Sequence, residues 1–167
     1  VNLENEDPVF GADGVPFLAT SYAASKKLAA AQKPVVEKKL GSQGIVLLYT
    51  CAWPPQGIYA KKDLNSLKDM EGLKWRAYSP ATSRLAELVK AQPITIQAAE
   101  LSQALATGKV DSFMSSGATG VDSKVWEQLS HFYDTQGWLP KNMVIINKAA
   151  YDKLDKAIQA SKRGFAY

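Results

Sequence analysis

The residue types that could catalyse a reaction are few in this chain and poorly arranged for it. The only histidine is His131, and the only cysteine is Cys51. A Ser–His–Asp set could be assembled only by pairing Ser115 or Ser116 with His131, and neither serine lies in a G-x-S-x-G elbow. No glycine-rich phosphate loop is present, and one isolated histidine does not make a metal site. The sequence therefore predicts no catalytic residue, no metal site and no cofactor.

Polar side chains of another kind follow the predicted strands. The segments TCAWPPQG, RAYSPATS and SSGATG supply an arginine, a tryptophan, a tyrosine, an amide and several hydroxyls. In open α/β sheets, ligands bind outside the carboxyl ends of the strands. Such a set, without a nucleophile and base, is suited to holding a small polar ligand. The candidate ligand-binding residues are Arg76, Trp53, Gln56, Tyr78, Ser115 and Ser116.

Arg76 is the candidate with the clearest physical role. It alternates with Lys74 along a predicted strand, and this pattern alone favours a surface or salt-bridged arginine. However, the strand ends in a Ser-Pro step that leads into a helix N-terminus, where anions are stabilised. The planar guanidinium can hold a carboxylate with two parallel hydrogen bonds. From the residues alone, a surface arginine and an anion anchor therefore both stay open.

Helical and strand patterns alternate along the whole chain. Residues 20–32 predict a helix, Pro34 predicts an interruption, and residues 35–41 predict a second helical segment. GIVLLYT at 44–50 is a continuous apolar run, typical of a strand buried on both faces of a parallel sheet. The further predicted strands are 57–61, 73–79, 93–96, 110–116 and 143–147, and the further helices are 66–71, 82–91, 98–108, 122–130 and 147–161. This order predicts an α/β fold with a mostly parallel sheet.

Composition excludes several other classes of protein. The net charge is +4, and the lysines are interleaved with acidic residues rather than with base-stacking aromatics, so no nucleic-acid partner is expected. No apolar run is long enough to cross a bilayer. Residues 1–14 have neither the basic nor the apolar region of a signal peptide, and both ends suggest a truncated form. Cys51 is expected to be a buried small residue.

An ordered series of segments resembles the DctP family, the solute receptors of tripartite ATP-independent periplasmic (TRAP) transporters. The series covers nearly the whole chain, and its most specific part is the stretch GLK-x-R followed by AL-x-x-G-x-VD. The matching segments are DGVPFLATSY, GIVLL, PPQGIYAKKDL, SLKDMEGLKWRAYSP, AELVKAQPITI, AAELSQALATGKVDSFMSS and MVIINKAAYDKL.

The resemblance implies a periplasmic-binding-protein-like (type II) α/β fold, with two lobes of mostly parallel or mixed sheets and an incomplete first lobe. Residues 1–53 would belong to lobe I, 54–142 to lobe II, and 143–167 would return to lobe I. It also implies a periplasmic, non-catalytic receptor that binds a small organic acid in an interlobe cleft and delivers it to TRAP membrane permease subunits. Arg76 matches the arginine that holds the ligand carboxylate in this family. Surfaces left uncovered by truncation could also form a dimer.

Two departures from the family pattern bear on the ligand. Many members have a second arginine where this chain has Gln56, and many have an asparagine where it has Ser115. A less charged set of polar groups disfavours dicarboxylates and sugar acids. With Trp53 and Tyr78 nearby, and Trp138 as a further candidate, we expect a monocarboxylate with an apolar or aromatic body.

Two alternatives compete with a transport receptor. One is a small serine-type hydrolase that uses Ser115 or Ser116 with His131. The other is a ligand-sensing input domain built on the same fold.

Overall fold

The structure is a computed structural model that describes residues 3–162. It divides into two compact units, and the chain passes between them twice. The first unit contains residues 3–53 and the segment that begins at Trp138, and the second contains Pro54–Gly137. The second passage lies between Gly137 and Trp138.

The two units contain six α-helices and seven strands within the described residues. The helices are α1 (Tyr22–Ser42), α2 (Pro80–Leu88), α3 (Leu101–Ala106), α4 (Gly117–Asp122), α5 (Lys148–Asp152) and α6 (Lys156–Lys162). The strands are β1 (Ile45–Ala52), β2 (Gln56–Ala60), β3 (Lys74–Ala77), β4 (Gln92–Thr95), β5 (Ser112–Ser116), β6 (His131–Tyr133) and β7 (Lys141–Asn147). Short 3-10 helices cover Pro8–Gly14, Leu67–Met70, Ala98–Glu100 and Val125–Glu127. None of the helices described is long and apolar enough to cross a membrane.

In the first unit, α1 is one continuous helix, and the predicted interruption at Pro34 is wrong. Its buried residues include Gln32, Val36 and Leu40, which recur at helical spacing on one side. Val36 and Leu40 pack with Phe10 and Leu47 in a common core. A proline removes one backbone donor, but the helix is held before Pro34 by the hydrogen bond from Gln32 Nε2 to the Val9 oxygen and after it by the packing of Val36 and Leu40.

Strand β1 pairs antiparallel with β7, so the predicted parallel strand buried on both faces is also wrong. Only Leu47 is buried among its eight residues. Cys51 is exposed, against the expectation that it would be buried. A continuous apolar run does not reveal strand direction, because its composition reflects hydrophobicity rather than the neighbour that it pairs with.

The second unit contains a five-stranded mixed sheet in the order β4-β3-β5-β2-β6. Strand β3 is parallel to β4 and β5, whereas β2 is antiparallel to β5 and β6. On one face, Tyr59 stacks on Phe113 with ring centroids 4.7 Å apart. Leu101 and Leu105 of α3 complete this core. The unit therefore has the α/β fold with a mixed sheet that the family resemblance implies.

Two predicted helices differ from those observed. The helix predicted at 122–130 is replaced by α4 and a 3-10 helix, because Ser116 caps α4 and Lys124 has a φ of 48°. The helix predicted at 147–161 divides into α5 and α6. Tyr151 is buried, whereas Ile158 is 42% exposed.

Candidate ligand-binding site

Strand directions in the second unit collect the predicted binding residues at one edge of its sheet. Because β3 and β5 are parallel, Arg76 and Ser115 both lie near carboxyl ends at the same edge. Because β2 is antiparallel to β5, its first residue, Gln56, lies at that edge as well, opposite Ser116. The edge therefore carries a cation, an amide and two hydroxyls.

Arg76 is the charged centre of this edge. Its side chain is 5% exposed, and its Nε donates a hydrogen bond to the backbone oxygen of Ile96 at 2.9 Å. Among the residues that the structure describes, no carboxylate pairs with the guanidinium. Burial lowers the pKa of Arg76, although the nearby Tyr78 opposes this shift. An arginine buried without a counter-ion is a costly arrangement unless an anion joins it.

Tyr78 and Gln56 form a chain of contacts beside Arg76. The Cζ atom of Arg76 lies 5.0 Å from the centroid of the Tyr78 ring, within the range of a cation–π interaction. The Tyr78 hydroxyl donates to Oε1 of Gln56 at 3.1 Å. Nε2 of Gln56 donates to the backbone oxygen of Pro54, also at 3.1 Å. Gln56 is 3% exposed, and both ends of its buried amide are hydrogen-bonded.

The turn after Tyr78 satisfies its own backbone donors. The backbone N–H groups of Tyr78 and Ser79 both donate to Oγ1 of Thr82 at 3.0 Å. The Thr82 N–H in turn donates to Oγ of Ser79, which completes a capping box at the start of α2. These three amides are therefore already paired within the turn.

Ser115 and Ser116 meet at a third residue that the sequence interpretation missed. Ser115 Oγ donates to Thr119 Oγ1 at 2.7 Å, and Ser116 Oγ lies 3.3 Å from the same atom. Ser116 Oγ also accepts from the Thr119 N–H as the N-cap of α4. The spacing of Ser116 and Thr119, an N-cap and the third residue after it, was the available signal. The backbone oxygen of Ile96 accepts the hydrogen bond from Arg76, and no pattern in the sequence predicts this contact.

His131 does not join the serines, so the predicted serine-hydrolase alternative is not supported. His131 pairs with Ala60 at the far end of β2, whereas Ser115 pairs with Gly57. Three residues along a strand correspond to about 10 Å. The His131 Nδ1 atom instead lies 2.8 Å from Oγ of Ser130. Within residues 3–162, no group of three metal-ligating side chains comes together either.

Two tryptophans considered as binding residues belong to the first unit. Trp53 directly follows β1, and its side chain is 38% exposed. Its backbone N–H donates to the oxygen of Pro140 at 2.7 Å. Trp138 is 2% exposed and is therefore a core residue. Trp53 stays a predicted binding residue.

Solved structures of similar proteins share this fold over almost the whole chain. DctP6 of Bordetella pertussis, an extracytoplasmic solute receptor binding pyroglutamic acid, is 61% identical with a TM-score of 0.93, and the match covers 97% of this chain and 54% of that one. A TRAP solute-binding protein from a marine metagenome, specific for pyroglutamate, is 50% identical with a TM-score of 0.90, covering 95% and 52%.

DctP7 of Bordetella pertussis, a further receptor binding pyroglutamic acid, is 45% identical with a TM-score of 0.93, and the match covers 96% of this chain and 54% of that one. The chain thus spans about half the length of these solved relatives. None of the curated proteins matches it. The sequence profile of DctP, described as bacterial extracellular solute-binding protein, family 7, matches residues 1–163. The chain belongs to the DctP family of bacterial extracellular solute-binding proteins.

Proposed function

We propose that this chain is the part of a periplasmic TRAP receptor that carries the carboxylate anchor, and that the ligand is pyroglutamate or a close cyclic monocarboxylate. The observation that carries the proposal is Arg76, 5% exposed and without a carboxylate partner among the described residues. A ligand carboxylate would supply the missing negative charge. Three relatives at 45–61% identity are receptors for pyroglutamate, which supports this choice.

The charge at the sheet edge favours a ligand with one carboxylate. Arg76 is the cation there, and position 56 holds the neutral Gln56 where many family members have a second arginine. Pyroglutamate has one carboxylate and an uncharged lactam ring, so its charge matches a single arginine. Glutamate, the open-chain counterpart, would bring a second carboxylate and an ammonium group that need further partners.

The proposed role is binding and delivery rather than catalysis. The serine hydroxyls at the site contact Thr119 rather than a base, and the relatives are solute receptors. By membership in the family, the whole protein would pass its ligand to the membrane permease subunits of a TRAP transporter. In this role, binding energy shifts the receptor towards the form that the permease recognises.

Calorimetry with the full-length receptor tests the ligand assignment. We expect pyroglutamate to bind tightly, and glutamate, proline and galacturonate to bind at least about 100-fold more weakly, because each changes the charge or shape at the site. Mass spectrometry of ligand that co-purifies with the receptor should find a cyclic monocarboxylate. Preferential binding of a dicarboxylate or a sugar acid would refute the assignment.

A further inference from the structure

We propose that Gln56 is a positioning residue that acts on Arg76 through Tyr78, and that it does not contact the ligand itself. The inference rests on the proposed function only for the identity of the ligand. It revises the sequence prediction that Gln56 binds the ligand directly. The three residues form one continuous chain of contacts from the start of β2 to the end of β3.

The Gln56 amide is held at both ends by hydrogen bonds within the protein. Oε1 accepts from the Tyr78 hydroxyl, and Nε2 donates to the Pro54 oxygen, each at 3.1 Å. The side chain is 3% exposed. The amide keeps a second N–H and a second lone pair, but its burial leaves little surface through which a ligand could reach them.

The backbone of Gln56 is also held in place. Its oxygen accepts two hydrogen bonds, from the Gly137 N–H at 3.0 Å and from the Thr135 hydroxyl at 3.1 Å. Its Cα is paired with Ser116 in the β2–β5 ladder. Gln56 is therefore a rigid support from which the Tyr78 ring can be oriented.

Tyr78 transmits this support to the guanidinium of Arg76. The hydroxyl bond to Gln56 sets the direction of the ring, and the guanidinium carbon lies 5.0 Å from the ring centre. The Nε bond to Ile96 restrains the same guanidinium independently. Two restraints on one planar group define where its terminal nitrogens point. A fork that is already oriented loses less entropy when it receives a carboxylate.

This arrangement explains why glutamine suits position 56. Arginine has no acceptor atom, so it could not receive the Tyr78 hydroxyl bond. Glutamate could receive that bond, but its negative charge would compete with the ligand for Arg76. Glutamine is a neutral acceptor, and its amide nitrogen can also bond to Pro54. Position 56 therefore needs a neutral side chain that accepts from Tyr78 and donates to Pro54.

A double-mutant cycle in the full-length receptor tests the proposal. The variants are Gln56→Met, Tyr78→Phe and the pair, titrated by calorimetry with pyroglutamate and with cyclopentanecarboxylate, which lacks the lactam. We expect each single change to lower the affinity for both ligands about three- to tenfold. The double variant should bind with the same affinity as the single variant that binds less tightly. Equal losses for the two carboxylates would show that Gln56 acts through the anchor.

The outcomes that contradict the proposal are specific. If Gln56→Met still weakens binding in the Tyr78→Phe background, Gln56 does not act through Tyr78. If its effect disappears with cyclopentanecarboxylate, Gln56 reads the lactam directly. Either result overturns the positioning role.

A ligand-independent measurement separates this proposal from the proposed function. The Nε–H signal of Arg76 in ¹H–¹⁵N NMR spectra, assigned by its loss in Arg76→Lys, should shift in both single variants without ligand. If the wild type binds neither carboxylate, the proposed function fails, and the NMR result alone decides the positioning role. A signal unchanged in Gln56→Met would then refute it.

Discussion

The Nε of Arg76 in β3 donates to the backbone oxygen of Ile96 at 2.9 Å, and Ile96 directly follows the neighbouring strand β4. This bond uses the one guanidinium nitrogen that is nearest to the chain. The two terminal nitrogens, which have no partner among the described residues, are those that can grip a carboxylate end-on. The bond therefore restrains the guanidinium of Arg76 and leaves its two terminal nitrogens available for a carboxylate.

Replacing Arg76 should weaken binding of the carboxylate ligand strongly. We expect Arg76→Ala to cost about 2–5 kcal/mol, or at least about 30-fold in affinity, because the ligand charge would be left unpaired. Arg76→Lys should recover only part of this loss, since an ammonium lacks the planar fork. Calorimetry on the full-length receptor measures both effects. Arg84→Ala is the matched control, because Arg84 pairs with Glu87 on the surface. Unchanged affinity in Arg76→Ala would disprove the anchor assignment.

The two serines at the end of β5 should have separable roles. Ser115 lies two residues from Phe113, the ladder partner of Arg76, and so shares its face of the sheet. We expect Ser115→Ala to reduce affinity by about 0.5–1.5 kcal/mol. Ser116 caps α4, so Ser116→Ala should lower the free energy of unfolding by about 0.5–2 kcal/mol and leave affinity nearly unchanged. The reverse pattern in calorimetry and urea unfolding would contradict this division.

A buried ion pair should stabilise the first unit. Lys141 is 6% exposed, lies 3.0 Å from Asp13 and also donates to Gln32. Lys141→Met leaves the Asp13 carboxylate buried without its cation, so we expect the free energy of unfolding to fall by about 3–5 kcal/mol. Lys148→Met breaks an exposed pair with Asp152 and should cost less than about 1 kcal/mol. Urea denaturation compares the two, and equal losses would show that burial is not the decisive factor.

Two glycines of α4 provide a matched pair for packing. A Cβ on Gly120 would clash with the hydroxyl of Tyr59, whereas a Cβ on Gly117 would meet nothing within 4 Å. Tyr59 cannot easily move, because it stacks on Phe113 and its hydroxyl donates to Ser116. We expect Gly120→Ala to destabilise the protein by about 1–3 kcal/mol and Gly117→Ala to have little effect. Thermal unfolding that shows no difference would refute the steric argument.

The pKa of Asp63 should depend on Tyr133. The hydrogen bond from the Tyr133 hydroxyl is the largest cause that lowers the pKa of Asp63, followed by the bond from Asn65. The ionised form is therefore favoured in the folded state. Its stabilising effect is present above the unfolded-state pKa of about 3.9, and it is lost as the pH falls through the lowered folded-state pKa.

Tyr133→Phe should accordingly raise the pKa of Asp63 towards its ordinary value and reduce the loss of stability on acidification. A ¹³C NMR titration of the Asp63 carboxyl measures this shift, with Tyr22→Phe as a control at an exposed tyrosine. An unchanged Asp63 pKa in Tyr133→Phe would show that the hydrogen bond is not its cause.

Local sequence patterns predicted most elements of the second unit. Its strands were predicted from short apolar stretches. The start of α2 at Ser79 and the end of α3 near Gly108 were predicted from capping and turn preferences, which act over a few residues. The predictions failed where contacts between residues distant in the sequence determine the local structure. Pro34 lies inside a continuous helix because Val36 and Leu40 are packed in the core. The antiparallel pairing of β1 depends on β7, which lies almost a hundred residues away in the chain.

By itself, the sequence determined the family, the α/β class and the identity of the candidate anchor, because these follow from residue types and from the order of local segments. Only the tertiary structure decided what surrounds Arg76. Its burial and its bond to Ile96 result from how β3, β4 and β5 align, and no carboxylate among residues 3–162 pairs with it. The same alignment placed Gln56 against Tyr78 and separated Ser115 from His131. Hydrogen-bond partners depend on distances across the sheet, and no local pattern encodes those distances.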